Sequence, residues 1–194
     1  MPEPAPIHEH ALNNLRYIRE AMERASAFTS IPGWGGVLVG LTGVITAVIA
    51  HRQAASLEWL WIWLVAAAVA GTIAGVSMAL KAKRANVSFT GTPARRFFVS
   101  YFAPIVAAAI LTFLLAKVGA FAALPATWLL LYGASFISSG AYSIRVVPVM
   151  GVCFMTLVLI ACLVPFTAGN ALLGAGFGGL HIIFGIIIAR SYGG

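Results

Sequence analysis

Six long apolar segments dominate this sequence and restrict the environment in which it can fold. They cover roughly residues 34–50, 58–80, 97–118, 125–144, 147–165 and 171–190. A helix rises about 1.5 Å per residue, so each segment is long enough to cross a hydrocarbon core about 30 Å thick. Only 9% of the residues are charged, which is too few for the surface of a soluble domain. We therefore expect an all-α fold, a polytopic membrane helix bundle with six transmembrane helices.

A different pattern precedes the first apolar segment. After a proline-rich leader, apolar side chains recur at steps of three and four between His8 and Phe28, which is the spacing of one face of an amphipathic helix. Oppositely charged side chains four residues apart support the same helix. We expect residues 1–32 to form a cytoplasmic or interfacial leader and amphipathic helix, and residues 33–194 to form the six-helix transmembrane domain.

Lysines and arginines are unevenly distributed between the two ends of the predicted helices. Of the 12 in the chain, Arg52 and Lys117 fall at one end and the other ten at the opposite end. Cytoplasmic loops of membrane proteins carry such an excess. The distribution predicts a multi-pass protein whose N- and C-termini are both cytoplasmic.

The net charge of +7 does not indicate a nucleic-acid-binding protein. Such a protein clusters its basic residues on a water-facing surface, whereas the basic residues of this chain flank apolar segments. The partners we expect are the lipid bilayer and either a second copy of the chain or another protein, with no nucleic acid.

Ionisable side chains are nearly absent from the middle of the predicted spans. No Asp, Glu, Lys or Arg lies there, and His181 is the one titratable side chain of this kind. Intramembrane ionisable residues are often functional, since their burial is costly. At matching depth the fourth segment carries hydroxyl groups at steps of three and four, on Tyr132, Ser135, Ser139 and Tyr142. Two interpretations remain open: a polar track centred on His181, or a packing contact in which one hydroxyl satisfies a neutral imidazole.

Glycines recur at helical spacing in three of the segments. Faces of small residues allow two membrane helices to approach closely. The predicted packing glycines are Gly36, Gly40 and Gly43 in the first segment, Gly71 and Gly75 in the second, and Gly174, Gly178 and Gly185 in the sixth. They predict helix association but no particular activity.

One proline lies well inside a predicted span. Pro104 follows the start of the third segment by about two turns. Proline has no N–H and its ring clashes with the preceding turn, so the carbonyl of Ser100 should lose its helical partner. We expect a kink in the third helix at this point.

The histidines and acids do not predict a metal or cofactor site. Bis-histidine haem ligation needs two histidines at similar depth, and His51 is about 13 Å from the depth of His181 at the rise of a helix. His8, Glu9 and His10 form a short cluster on which no other ligand converges. With no nucleophile–base pair in the sequence either, we expect no catalytic residue, no cofactor, no metal and no enzymatic activity.

A small polar cluster is predicted at the outer mouth of the first two segments. It consists of His51, Arg52 and Glu58. Glu58 falls in the first turn of the second helix, where the helix dipole favours a carboxylate. An ion pair with Arg52 and a role in admitting a substrate are the two interpretations.

Short stretches at both ends of the chain carry a family resemblance. They read Asn14-Leu15-Arg16-Tyr17-Ile18-Arg19, Met22-Glu23-Arg24-Ala25, Phe28-Thr29-Ser30-Ile31-Pro32-Gly33-Trp34-Gly35 and Ile188-Ala189-Arg190-Ser191-Tyr192-Gly193-Gly194. These stretches resemble the ends of an uncharacterised family of small bacterial six-span integral membrane proteins. The resemblance implies a location in the bacterial cytoplasmic (inner) membrane, and it implies no activity.

Two functions are consistent with these patterns. The first is a non-catalytic membrane component that associates through its small-residue helix faces and docks through its cytoplasmic amphipathic arm. The alternative is a channel or permease for a small neutral solute, which would use the polar track around His181. The sequence contains no recognisable site for a coupling ion, and this counts against the alternative.

Overall fold

The computed structural model describes residues 14, 15, 17, 18, 27–85 and 91–193 of the chain. Five α-helices follow one another: α1 Gly33–Ile49, α2 Leu57–Arg84, α3 Thr92–Lys117, α4 Leu124–Gly140 and α5 Val146–Ala161. A sixth helix, α6, runs continuously through an α-helical part Gly169–Leu173, a π-helical part Gly174–Leu180 and a second α-helical part His181–Tyr192. Short 3₁₀ turns lie between helices at Ala50–Arg52, Phe121–Ala123 and Phe166–Ala168.

The predicted all-helical fold is confirmed. The described part of the chain contains no β-strand, and its single isolated bridge joins Phe28 to Ser143. Five helices are long and apolar enough to cross a membrane, counting α1, α4 and α6 each with the 3₁₀ turn that adjoins it. The apolar helix α5 is shorter, with 16 residues.

The fourth predicted segment continues to residue 144, whereas α4 ends at Gly140. The residues that follow bond to the chain that leads into α1. Phe28 donates its backbone N–H to the carbonyl of Tyr142 at 2.7 Å, and the Ser143 hydroxyl donates to the carbonyl of Phe28 at 2.8 Å. Tyr142 therefore lies in the corner between α4 and α5, outside the helix that was predicted to hold it.

Helices α1 and α6 pack closely along a face of glycines. A Cβ added at Gly40 would lie 2.8 Å from the carbonyl oxygen of Gly178, and one added at Gly43 would lie 2.6 Å from backbone atoms of Phe177. The obstructing atoms belong to the backbone, so a neighbouring side chain cannot simply rotate away. The approach of the two helices depends on the absence of side chains here.

Helices α4 and α5 form a hairpin that also relies on small residues. A Cβ at Gly133 of α4 would lie 2.8 Å from the carbonyl oxygen of Gly151 of α5. Helix α6 contacts α1 on one side and this hairpin on the other, while α3 packs on α4 and α2 packs on α1. Among the described residues, α2 and α3 do not pack against each other along their lengths.

At one end of the bundle, the Lys81 ammonium joins three parts of the chain. It donates to the carbonyl of Ile31 at 2.9 Å, to that of Tyr192 at 3.0 Å, and to that of Gly193. A cation is favoured at a helix C-terminus because the last carbonyls have no helical partner. Lys81 thus holds the end of α2 against both the start of α1 and the end of α6.

At the opposite end, Asn170 plays a similar role. Its side-chain oxygen accepts from the indole N–H groups of Trp59 and Trp63 of α2, each at 3.2 Å. Its amide nitrogen donates to the carbonyl of Ala47 of α1 at 2.8 Å. One side chain of α6 therefore links α1 and α2 at this end.

The predicted N-terminal amphipathic helix falls mostly outside the described residues. Asn14, Leu15, Tyr17 and Ile18 are helical, and their side chains are exposed. The rest of the segment from His8 to residue 26 lies outside the described part of the chain, so the amphipathic helix stays a prediction.

Candidate functional site

His181 is buried near the middle of α6, with 5% of its surface exposed. Four aromatic rings surround it, with centroids between 5.6 and 6.2 Å from the imidazole: Tyr132, Phe136, Phe154 and Phe177. They come from α4, α5 and α6. The only polar group that these side chains bring to the imidazole is the Tyr132 hydroxyl.

Both nitrogens of the imidazole have a partner. Nε2 lies 3.0 Å from the hydroxyl oxygen of Tyr132, and Nδ1 lies 3.4 Å from the carbonyl oxygen of Gly176. A carbonyl can only accept, so we assign the proton to Nδ1 and let Nε2 accept from the tyrosine hydroxyl. A neutral imidazole is satisfied in this arrangement without a charged partner.

The π-helical part of α6 directly precedes His181. A π-helix closes its hydrogen bonds over five residues, so the residues after it are rotated relative to an uninterrupted α-helix. Without this insertion Gly178 and His181 would share one face. In the structure Gly178 faces Val44 of α1, which lies 2.7 Å from an added Cβ, whereas the His181 side chain contacts Tyr132 of α4.

Tyr132 also belongs to a row of four aromatic side chains that come from four helices. Trp63 of α2 contacts Phe177 of α6, with 6.4 Å between ring centroids. Phe177 contacts Tyr132 at 4.8 Å, and Tyr132 contacts Tyr101 of α3 at 6.2 Å. All four members of this aromatic row are half-buried, so each keeps part of its surface exposed.

The other residues of the predicted polar track do not join the pair. Ser135 and Ser139 are buried, and their hydroxyls donate within α4 to the carbonyls of Tyr132 and Ser135, both at 2.7 Å. A serine inside a helix readily bonds a carbonyl three or four residues earlier. Tyr142 packs against a separate cluster around Phe28. Of the five predicted residues, the structure brings together Tyr132 and His181.

The carbonyl that Pro104 leaves without a helical partner has one on the neighbouring helix. Helix α3 continues through Pro104, and the Ser138 hydroxyl of α4 donates to the carbonyl of Ser100 at 2.8 Å. Such side-chain bonds are how membrane proteins tolerate an internal proline. Since Tyr101 follows Ser100, this bond also secures α3 to α4 beside the aromatic row. The kink itself stays a prediction.

The eight predicted packing glycines fall into two groups. Six of them contact the opposite helix across the α1–α6 interface: Gly36, Gly40, Gly43, Gly174, Gly178 and Gly185. The other two, Gly71 and Gly75 of α2, are exposed and have no atom within 4 Å of an added Cβ. The first group packs against another helix of the chain, and the second group packs against none of the described residues.

The predicted outer cluster does not form a site in this structure. His51, Arg52 and Glu58 are exposed, with Glu58 in the first turn of α2 as expected. Within the described residues the Glu58 carboxylate makes no ion pair with Arg52. The described residues also contain no group of three or more His, Cys, Asp or Glu that could hold a metal.

Two residues that shape the site were not identified from the sequence. Tyr101 lies on α3, and nothing in the pattern of that helix indicates that it meets Tyr132. Asn170 precedes the sixth predicted segment. A polar amide at the start of an apolar segment, together with two tryptophans four residues apart in the second segment, is the signal that could have identified it. Comparison with known proteins adds no assignment, since no family model, curated protein or solved structure matches the chain.

Proposed function

We propose that the chain is a six-span integral membrane protein of the bacterial cytoplasmic membrane. The parity of the bundle supports six crossings, because Lys81 bonds both Ile31 before α1 and Tyr192 at the end of α6. Two ends on one side require an even number of spans. Helix α5, with 16 residues, would then span about 24 Å, and small mismatches of this kind are tolerated by thinning of the bilayer. The bacterial location rests on the resemblance at the chain ends.

Both termini would be cytoplasmic. The Lys81 end of the bundle carries seven of the described lysines and arginines: Lys81, Lys83, Arg84, Arg95, Arg96, Arg145 and Arg190. The opposite end carries Arg52 and Lys117. The positive-inside rule then places the first group in the cytoplasm.

The function that the geometry supports best is transport of a small neutral solute, by a channel or permease whose site is the Tyr132–His181 pair. The observation that carries this proposal is the 3.0 Å hydrogen bond between these side chains inside a cage of aromatic rings. In the described part of the chain neither side chain has an ionic partner, so the pair can exchange hydrogen bonds with an uncharged solute. Self-association through glycine faces is less favoured, because α1 and α6 use theirs on each other.

The test is solute flux into liposomes that contain the purified protein. Wild-type protein should accelerate the swelling of vesicles in a neutral polyol. The Tyr132→Phe variant keeps the ring but loses the hydroxyl, and one such hydrogen bond corresponds to an effect of about tenfold or less on the rate. Tyr142→Phe is the matched control, since it removes a hydroxyl outside the site and should leave the flux unchanged. Equal rates in protein-containing and empty vesicles would refute the proposal.

A second function, docking through the N-terminal arm, has its own supporting observation. Leu15, Tyr17 and Ile18 are helical and expose 63%, 68% and 52% of their surfaces. An apolar helical surface at the cytoplasmic end suits a membrane surface or a partner helix. Removal of residues 1–26 should then reduce the size of the complex isolated in mild detergent, and an unchanged size would count against this role.

A further inference from the structure

One side of α2 is open in the middle and closed at both ends. Trp63, Ala67, Gly71, Gly75 and Met78 follow at steps of four, four, four and three, so they share one side of the helix. Trp63 contacts Phe177 of α6, and Met78 packs against the cluster of Phe28, Ala94 and Phe97. Between these two contacts, a Cβ added at Gly71 or Gly75 would meet none of the described residues within 4 Å. A gap therefore lies beside α2 at Gly71 and Gly75, while another side of the helix packs on α1.

This gap lies at the depth of the candidate site. Lys81 of α2 bonds the carbonyl of Tyr192 of α6, so these residues are level. Gly71 is ten residues from Lys81 and His181 is eleven from Tyr192, which puts them about 15 and 17 Å from that level at the rise of a helix. A gap at this depth faces the acyl chains of a bilayer and not its headgroups.

The inner wall of the gap is the aromatic row. The row begins at Trp63 of α2 and ends at Tyr101 of α3, and these two helices are not packed together. Its four side chains are half-buried, in contrast to His181 and Phe154 behind them, which are buried. The row has three polar groups: the indole N–H of Trp63, which donates to Asn170, the hydroxyl of Tyr132, which bonds His181, and the hydroxyl of Tyr101. No acid or cation lies in the middle of α2 or α3.

We propose that the space between α2 and α3 is a lateral cleft, open to the bilayer, that binds a neutral lipid-soluble ring compound of the quinone class. The inference rests on the proposed function for the placement of the bundle in the membrane, and it assigns a second ligand besides the water-soluble solute. Access from the acyl chains selects a molecule that is dissolved in the membrane. The aromatic rings favour a planar ring stacked against them. The tyrosine hydroxyls can bond a carbonyl or hydroxyl oxygen of that ring, and the lack of charge excludes an ionic headgroup.

The first experiment fills the cleft. The Gly75→Phe variant adds a ring where the folded chain leaves space, so it should fold normally. The measurement is equilibrium binding of tritiated decylubiquinone to the full chain in phosphatidylcholine nanodiscs. Wild-type protein should bind it saturably, and the variant should bind at least about tenfold more weakly, the loss expected when packing is obstructed. Val76→Phe is the matched control, because Val76 is exposed on another side of α2 and its variant should bind as the wild type does.

The second experiment removes a hydroxyl and keeps the ring. Tyr101→Phe should weaken decylubiquinone binding about fivefold, the equivalent of one net hydrogen bond. Tyr142→Phe should leave the binding unchanged. A purely apolar contact with the row would be insensitive to Tyr101→Phe, so this variant tests the hydrogen bond itself.

The outcomes separate this proposal from the solute function. Absence of saturable decylubiquinone binding, or equal binding by the Gly75→Phe and Val76→Phe variants, would overturn the lateral cleft. If polyol flux still depended on Tyr132 in that case, the solute function would stand alone. If quinone bound as expected while flux was insensitive to Tyr132→Phe, the cleft would stand and the permease would fail.

Discussion

Helices α1 and α2 carry the same small-residue pattern and use it in opposite ways. In α1 the glycines meet the backbone of α6, so that an added Cβ at Gly43 would lie 2.6 Å from Phe177. In α2, Gly71 and Gly75 meet nothing. Small residues four apart thus permit close packing without requiring it, and the position of the next helix decides between a filled and an open face.

The two helices also differ in how they are held. Helix α1 is held along its length by α6, whereas the polar bonds that anchor α2 lie near its ends. Trp59 and Trp63 bond Asn170 at one end, and Lys81 bonds three carbonyls at the other. This arrangement keeps α2 in place while its central part stays open towards α3. Variants at the packed face of α1, at the two anchors of α2 and at the open face of α2 test this comparison.

The largest effect is expected at the filled face. Gly43→Leu would force a side chain into the backbone of α6 and should lower the free energy of unfolding by about 3 kcal/mol. The measurement is unfolding in mixed micelles as the fraction of SDS is raised. A stable variant with a native transition would show that α1 and α6 are not closely packed.

A smaller effect is expected when the Asn170 anchor is removed. Asn170→Leu leaves two indole N–H groups and the carbonyl of Ala47 without a partner. Interhelical hydrogen bonds in membranes contribute about 0.6 kcal/mol each on average, so we expect a loss of about 1–2 kcal/mol. The shift should appear in the same SDS titration, accompanied by a change in tryptophan emission. An unchanged emission spectrum would argue against the indole contacts.

The opposite anchor should have a more local effect. Lys81→Met keeps an extended side chain but loses the bonds to Ile31, Tyr192 and Gly193. We expect about 1 kcal/mol of destabilisation, with faster amide hydrogen exchange at the end of α6. Arg84→Met is the control, because Arg84 is exposed in the same last turn. Equal exchange in both variants would mean that Lys81 does not hold α6.

The smallest effect belongs to the open face. Gly71→Ala adds a methyl group to open space and reduces the backbone entropy of the unfolded chain. The free energy of unfolding should therefore rise by up to about 0.5 kcal/mol. The SDS titration with Gly40→Ala as the partner variant makes the contrast direct, since Gly40 is obstructed. Destabilisation of similar size in both would remove the distinction between the two faces.

Much of this fold follows from the sequence because hydropathy determines where a helix can cross a membrane. The break between α4 and α5 lies where Arg145 and Pro148 indicated, and Tyr132 and His181 meet as their equal depth suggested. The end of α4 was placed too late, because the segment to residue 144 remains apolar while its backbone bonds Phe28.

The rotation of each helix about its axis, and which helices lie beside one another, are harder to predict. Spacing in a regular α-helix predicts that Gly178 and His181 share one side, whereas Gly178 faces α1 and the His181 side chain contacts Tyr132 of α4. Ser135 and Ser139 satisfy their hydroxyls within their own helix, which spacing alone does not reveal. Tyr101 joins the site because α3 lies beside α4, and no local pattern encodes which helices become neighbours.

The Lys81 contacts have a consequence for chain connectivity. Because one ammonium group bonds the carbonyls of Ile31 and Tyr192, these two oxygens can be at most about 6 Å apart. After removal of residues 1–30, Ile31 and Tyr192 could be joined by a short linker, and new termini could be opened in the connection between α2 and α3 without changing the number of crossings. The bundle is in this sense suited to circular permutation, after which α3 would be the first span and α2 the last.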